Sequence, residues 1–99
     1  TQNAAKKVIA GKVRELKAAA QPELDIRGMA VDEALPVLDN FLDAAYMGNL
    51  PNARIIHGKG TGVLRAAVQD ELRRCKYVKS FRLGVYGEGE SGVTIVEFK

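Results

Sequence analysis

Ala53-Arg54-Ile55-Ile56-His57-Gly58-Lys59-Gly60-Thr61-Gly62-Val63-Leu64-Arg65-Ala66-Ala67-Val68 is the stretch that decides the fold. A short apolar run passes into three glycines within five positions and then into a helical period. A strand that enters a helix through glycines points several backbone N–H groups at the positive end of that helix, which is a site for an anion such as phosphate. Gly58, Gly60 and Gly62 can adopt positive φ and let a ligand approach the main chain, while Lys59 and Arg65 add mobile positive charge. No Gly-Lys-Ser/Thr closes the loop, so it is not a Walker loop. Val63 stands where the dinucleotide fingerprint needs glycine.

Working outward, Leu24-Asp25-Ile26-Arg27-Gly28 alternates apolar and charged residues and predicts a strand with one buried face. That alternation places Asp25 and Arg27 opposite Leu24 and Ile26. Val31, Ala34, Leu35, Leu38, Phe41, Leu42, Ala45 and Tyr46 follow a helical period, with Pro36 near its start and a stop at Gly48-Asn49-Leu50-Pro51-Asn52. A second helix is expected from about Val63 to Cys75, burying Leu64, Ala67, Val68, Leu72 and Cys75. A third strand is expected from Tyr77 to Val85, with Val78, Phe81, Leu83 and Val85 as core candidates. Residues 87–92 form a hairpin-like connection, and Val93-Thr94-Ile95-Val96-Glu97-Phe98 is a β-branched last strand. The order is βαβαββ. Helical crossovers make the first three strands parallel, and the short final connection admits an antiparallel partner. The expected architecture is a two-layer α/β (α+β) sandwich, with two helices against a four-stranded mixed sheet. Residues 2–20 predict a flanking helix with a narrow apolar stripe (Val8, Ile9, Val13, Leu16, Ala20) that Pro22 ends. This divides the chain into residues 1–22 and a domain over 23–99.

Composition bounds the function. The 99 residues carry a net charge of only +3, unevenly spread: 53–82 hold eight Lys/Arg against Asp70 and Glu71, whereas 21–52 hold Arg27 against six acids. A basic half around the glycine turn is the footprint of a polyanion binder. No apolar run is long enough for a membrane span and no signal-peptide pattern is present, so membrane partners are not expected. The single Cys75 excludes an internal disulfide and suits a reducing, cytoplasmic setting. With Thr1 in first place, the chain reads as a piece of a longer one. One histidine and one cysteine argue against structural zinc. No tightly bound cofactor is expected, although Asp25 offers a carboxylate to Mg²⁺ or Mn²⁺. Three Phe, three Tyr and no Trp argue against a single-strand stacking platform and favour recognition of backbone and shape.

Leu24-Asp25-Ile26-Arg27-Gly28, Ile55-Ile56-His57-Gly58-Lys59-Gly60-Thr61-Gly62 and Gly92-Val93-Thr94-Ile95-Val96 resemble the Smr (small MutS-related) domain over roughly residues 23–99. Arg27 makes the first motif most similar to the C-terminal domain of bacterial MutS paralogues not used in mismatch repair. The resemblance implies a fold like the C-terminal domain of translation initiation factor three. It also implies nucleic-acid binding and nicking endonuclease activity on DNA or RNA, within a larger ATP-binding MutS-like protein acting in recombination control or ribosome rescue. Branched or structured DNA, RNA, the ribosome and the rest of the parent chain are the partners it suggests.

Phosphodiester cleavage needs an activated nucleophile, charge neutralisation and a proton for the leaving oxygen. Asp25 is the candidate general base or metal ligand, Arg27 a phosphate clamp and His57 a general acid or base. Arg27, Gly58, Lys59, Gly60, Thr61, Gly62 and Arg65 are the candidate phosphate binders, with Thr61 also placed to cap the second helix. The competing reading is a non-catalytic docking module for nucleic acid or the ribosome. Arg27, where RNA-cleaving members carry histidine, favours it; the intact Asp25 and His57 favour the nuclease.

Overall fold

The computed structural model describes residues 22–87 and 89–99; the helix expected over 2–20 lies outside them. Strand β1 (Glu23–Asp25) leads to helix α1 (Val31–Met47), β2 (Asn52–Ile56), helix α2 (Val63–Arg74), β3 (Val78–Leu83), a 3-10 turn (Glu90–Gly92) and β4 (Val93–Phe98). The sheet order is β1-β2-β4-β3, with β1 and β2 parallel and β4 antiparallel to both β2 and β3. The first three strands therefore share one direction, as the crossovers require, and β4 lies between β2 and β3. The expected βαβαββ two-layer architecture is the observed one.

Register explains the core. Leu24 pairs with Ile55, Ile55 with Thr94, and Ala53 with Val96, so these side chains share the face that meets the helices. Ile26, Ala53, Ile55, Val96 and Phe98 pack there with Ala34, Leu38, Phe41, Leu42 and Ala45 of α1 and with Val68 and Leu72 of α2. The four-residue steps along α1 thus bury its apolar stripe. Glu33 accepts the Ala30 N–H at 3.3 Å and fastens the first turn of that helix. At the other end Asn49 takes φ 59, and the Leu50 N–H returns to the Ala45 carbonyl, folding Leu50 into the core. β4 is central, and five of its six residues are buried.

Three expectations are corrected. The first strand ends at Asp25 rather than Gly28, because the Arg27 N–H turns back to the Asp25 carboxylate and the Met29 N–H to the Ile26 carbonyl. The third strand stops at Leu83, and Leu83 and Val85 are exposed rather than core. β3 is an edge strand, and Phe81, half-buried with the Arg73 guanidinium 5.5 Å from its ring centre, is the last of its residues to join the core. Leu64, Ala67 and Cys75 are only partly buried, leaving Val68 and Leu72 as the anchors of α2.

Candidate nucleic-acid interface

The carboxyl ends of β1 and β2 and the start of β4 meet at one edge of the sheet. Here the His57 and Gly58 N–H groups both donate to the Gly92 carbonyl, at 3.1 and 2.9 Å. On one side of that contact the backbone itself calls for glycine, at Gly58; on the other, Gly92 packs at ordinary van der Waals distance. A Cβ on Gly92 would meet the Lys59 side chain at 3.4 Å and the Gly58 backbone at 3.6 Å, and Gly58 itself holds φ 82 beside the Arg27 stem. Gly60 (φ 33) and Gly62 (φ 88) complete the turn, and Gly62 is the N-cap of α2.

The amides of Lys59, Gly60, Thr61 and Gly62 donate to nothing among the described residues, because the positive-φ glycines turn the chain away from the sheet ladder before the helix begins. The Thr61 hydroxyl accepts the Val63 N–H at 3.4 Å, a long bond, so Thr61 caps α2 only weakly. Arg65 folds back over the turn, with its guanidinium 3.0 Å from where a Gly62 Cβ would stand. An open cleft of about 330 Å³ lies between this turn and the β1–α1 connection, bordered by Gly28, Val31, Gly60, Thr61 and Arg65. Lys59 also borders the cleft, and its ammonium meets the Glu90 carboxylate at 3.3 Å. The expected phosphate binders Gly58, Lys59, Gly60, Thr61, Gly62 and Arg65 are therefore gathered at one place.

Asp25 and Arg27 stand on the opposite face of the sheet edge. Two parallel bonds join them, Arg27 Nε to Asp25 Oδ1 at 3.0 Å and Arg27 Nη2 to Asp25 Oδ2 at 2.6 Å, and the Arg27 N–H also donates to Oδ1 at 3.0 Å. These side-chain bonds, then the backbone bond, hold the Asp25 carboxyl below the usual carboxylate range, so it is ionised at neutral pH. The Arg27 stem lies against Gly58, which carries the pair to the rim of the glycine turn.

His57 does not join them. Register places it with Ile26 on the helix side, and it is 5% exposed. Its Nδ1 is 2.9 Å from the Gly58 carbonyl and its Nε2 is 2.8 Å from the Thr94 hydroxyl. A carbonyl only accepts, so Nδ1 carries the proton and Nε2 accepts from Thr94 in the neutral ring. Burial, opposed by the Gly58 bond and aided by the Arg65 charge, lowers its pKa and keeps the ring neutral at neutral pH. Both nitrogens are thus committed to the protein, and the ring ties the glycine turn to β4.

Thr94 is the residue that the sequence reading missed. Its signal was a hydroxyl in an otherwise apolar strand core, visible only once β4 proves central and buried on both faces. The donor set does not fit a resident metal. Asp25 is a single carboxylate already bonded to Arg27, and no group of three His, Cys, Asp or Glu side chains placed to hold an ion occurs among the described residues. Nor is any helix among them long and apolar enough to cross a membrane.

The model of the Smr domain matches residues 24–99. The chain is 54% identical over 94 residues to a Lachnoclostridium phytofermentans protein named Endonuclease MutS2, covering 94% of this chain and 12% of that protein. A Caldicellulosiruptor bescii protein of the same name is 57% identical over 76 residues, 77% of this chain and 10% of that protein. The chain thus spans about a tenth to an eighth of the length of these relatives. The crystal structure of the Smr domain of Thermus thermophilus MutS2 superposes with a TM-score of 0.77 at 46% identity, covering 79% of this chain and 98% of that one. YdaL, a stand-alone small MutS-related protein from Escherichia coli, shares the fold with a TM-score of 0.76 at 24% identity, over 90% of this chain and 75% of that one. With its paired strand-end motifs on this sheet and the family model spanning the described domain, the chain belongs to the Smr domain family.

Proposed function

We propose that the chain is a nucleic-acid-binding domain that nicks phosphodiester backbones, DNA first and RNA as the second class, as one part of a larger MutS-like ATPase. The observation that carries this reading is the row of undonated amides from Lys59 to Gly62 at the start of α2, flanked by Arg65, Lys59 and Arg27. A phosphate seated there receives main-chain N–H bonds that require no side-chain ordering, plus the charge of Arg65 beside the turn, with Lys59 joining as it leaves Glu90 and Arg27 acting while still bonded to Asp25. Its neighbour along the strand reaches the Asp25–Arg27 rim. In hydrolysis a water oxygen attacks phosphorus and passes its proton to the Asp25 carboxylate, while Arg27 shares its remaining donors with the phosphoryl oxygens. The bond to the leaving oxygen then breaks, and that oxygen is protonated from solvent. His57 enters as a positioning residue for the turn, since neither of its nitrogens is open to substrate.

The test is cleavage of end-labelled supercoiled DNA, branched DNA and structured RNA by wild type and Asp25→Asn, with EDTA and with Mg²⁺ or Mn²⁺. Loss of nicking in Asp25→Asn with binding retained supports the assignment; undiminished nicking removes Asp25 from the chemistry. The docking-module reading has its own support in the two occupied nitrogens of His57 and the bidentate lock on Asp25. It expects salt-sensitive binding with no nicking above the Asp25→Asn background.

A further inference from the structure

Tyr86 is 92% exposed, and its hydroxyl has no hydrogen bond among the described residues. The chain has five other aromatic residues, and each is used in packing. Phe41 and Phe98 are buried, Phe81 lies under Arg73, and Tyr46 and Tyr77 stack on one another with ring centres 4.4 Å apart. Folding gives no reason for a sixth ring in water.

Both ends of the segment that carries Tyr86 are hydrogen-bonded. At one end the Gly84 N–H donates to the Val93 carbonyl at 2.9 Å, and at the other the Gly92 N–H donates to the Gly89 carbonyl at 3.1 Å. Gly89 holds φ 102, and a Cβ there would meet Val93 Cγ2 at 2.2 Å, so the loop base is pressed onto β4. Gly87, at φ 88, turns the chain immediately after the tyrosine.

Topology puts this loop at the edge that holds the glycine turn. Leu83 and Ile55 both pair with Thr94, from opposite sides of β4. The loop therefore leaves the sheet about 10 Å, two strand spacings, from the end of β2.

We propose that Tyr86 stacks on an unpaired nucleobase of a strand whose phosphates occupy the Lys59–Gly62 cradle, and so selects nucleic acid with an exposed base over an intact duplex. The inference rests on the nucleic-acid reading above. A base face is available to a lone ring only where the stack is interrupted, at a bulge, a branch or an end. A protein partner fits less well, because one ring with part of Leu83 and Val85 falls far short of the roughly 800 Å² per side of a stable protein interface. The nucleobase is common to DNA and RNA, so both are tested.

The experiment titrates the chain into labelled short duplexes of DNA and of RNA, each with and without a single-nucleotide bulge, at several salt concentrations. Wild type, Tyr86→Ala, Tyr86→Phe and Lys59→Ala are compared. Wild type should prefer the bulged ligand. Tyr86→Ala should weaken bulged binding about 5- to 30-fold and leave intact-duplex binding and the salt slope unchanged, because it removes a stacking face and no charge. Tyr86→Phe should behave as wild type. The nucleic acid that shows the difference is the source of the base. Equal loss on intact duplex, or bulged binding by Tyr86→Ala equal to wild type while Lys59→Ala weakens it, overturns the role of Tyr86 and leaves the cradle standing. Wild type that binds none of the ligands overturns both. The unfolding midpoint of Tyr86→Ala should match wild type, since the ring touches no core residue.

Discussion

Replacing Thr94 by valine tests the buried contact on which the glycine turn depends. Valine keeps the shape and β-branching of threonine and removes only the hydroxyl, which is fully buried and has His57 Nε2 as its partner at 2.8 Å. The Nε2 lone pair is then left in a dry site, because Nδ1 remains committed to the Gly58 carbonyl. An unsatisfied buried acceptor costs about 1–3 kcal/mol. The methyl that replaces the hydroxyl returns up to about 0.8 kcal/mol of apolar burial. The net loss is about 1–2 kcal/mol, which for a domain of this size lowers Tm by about 5–15 °C. Urea unfolding at pH 7.5 should show a midpoint lower by about 1 M at unchanged m. In a His57→Phe background the same substitution should cost nothing or stabilise, giving a coupling of about 1–2 kcal/mol in the double-mutant cycle. A Thr94→Val midpoint equal to or above wild type, or a coupling near zero, would show that the Thr94–His57 bond does not hold the turn.

Gly89→Ala should destabilise by about 3 kcal/mol or prevent folding, since its Cβ falls 2.2 Å from Val93 Cγ2 at φ 102; a midpoint near wild type in urea contradicts this. Glu90 sits at φ 53 without being glycine and pairs with Lys59, so Glu90→Gly should raise stability by about 1 kcal/mol. It should also steepen the dependence of log Kobs on log salt by about one as Lys59 is freed, and an unchanged slope denies that Glu90 restrains Lys59. The lowered pKa of His57 means that the unfolded chain takes up a proton first, so stability should fall as pH drops from about 7 through the unfolded value and level off below the folded one. Asp39 acts oppositely: partial desolvation, then the hydrogen bond and charge of Glu71, push it up to about 6, so its protonation favours the folded state as pH falls. Asp39→Asn should therefore steepen the acid loss near pH 6 and raise stability at pH 8 by less than about 1 kcal/mol, and a flatter profile would reverse that sign.

The amino-acid sequence alone determined the elements and their order. Apolar period two around Leu24 and Ile26, four-residue steps from Ala34 to Ala45, and glycines at 58, 60 and 62 are local signals, because each reports the face or dihedral of its own residues. The same local chemistry placed Lys59, Arg65 and the free amides in one turn, and it sent Asp25 and Arg27 to one side of their strand. Tertiary structure decided what those residues do to one another. Only the insertion of β4 between β2 and β3 brings Thr94 to His57, Gly92 to Gly58 and Glu90 to Lys59, contacts that join residues more than thirty positions apart. Only register turns His57 inward beside Ile26 while Asp25 and Arg27 face out, which separates side chains that the motifs alone placed together. Leu83 and Val85 carry the same strand pattern as buried residues and are exposed because β3 is an edge strand whose place in the core ends at Phe81. Periodicity reports which side chains share a face; which neighbour covers that face is set by strand order, and no residue carries strand order by itself.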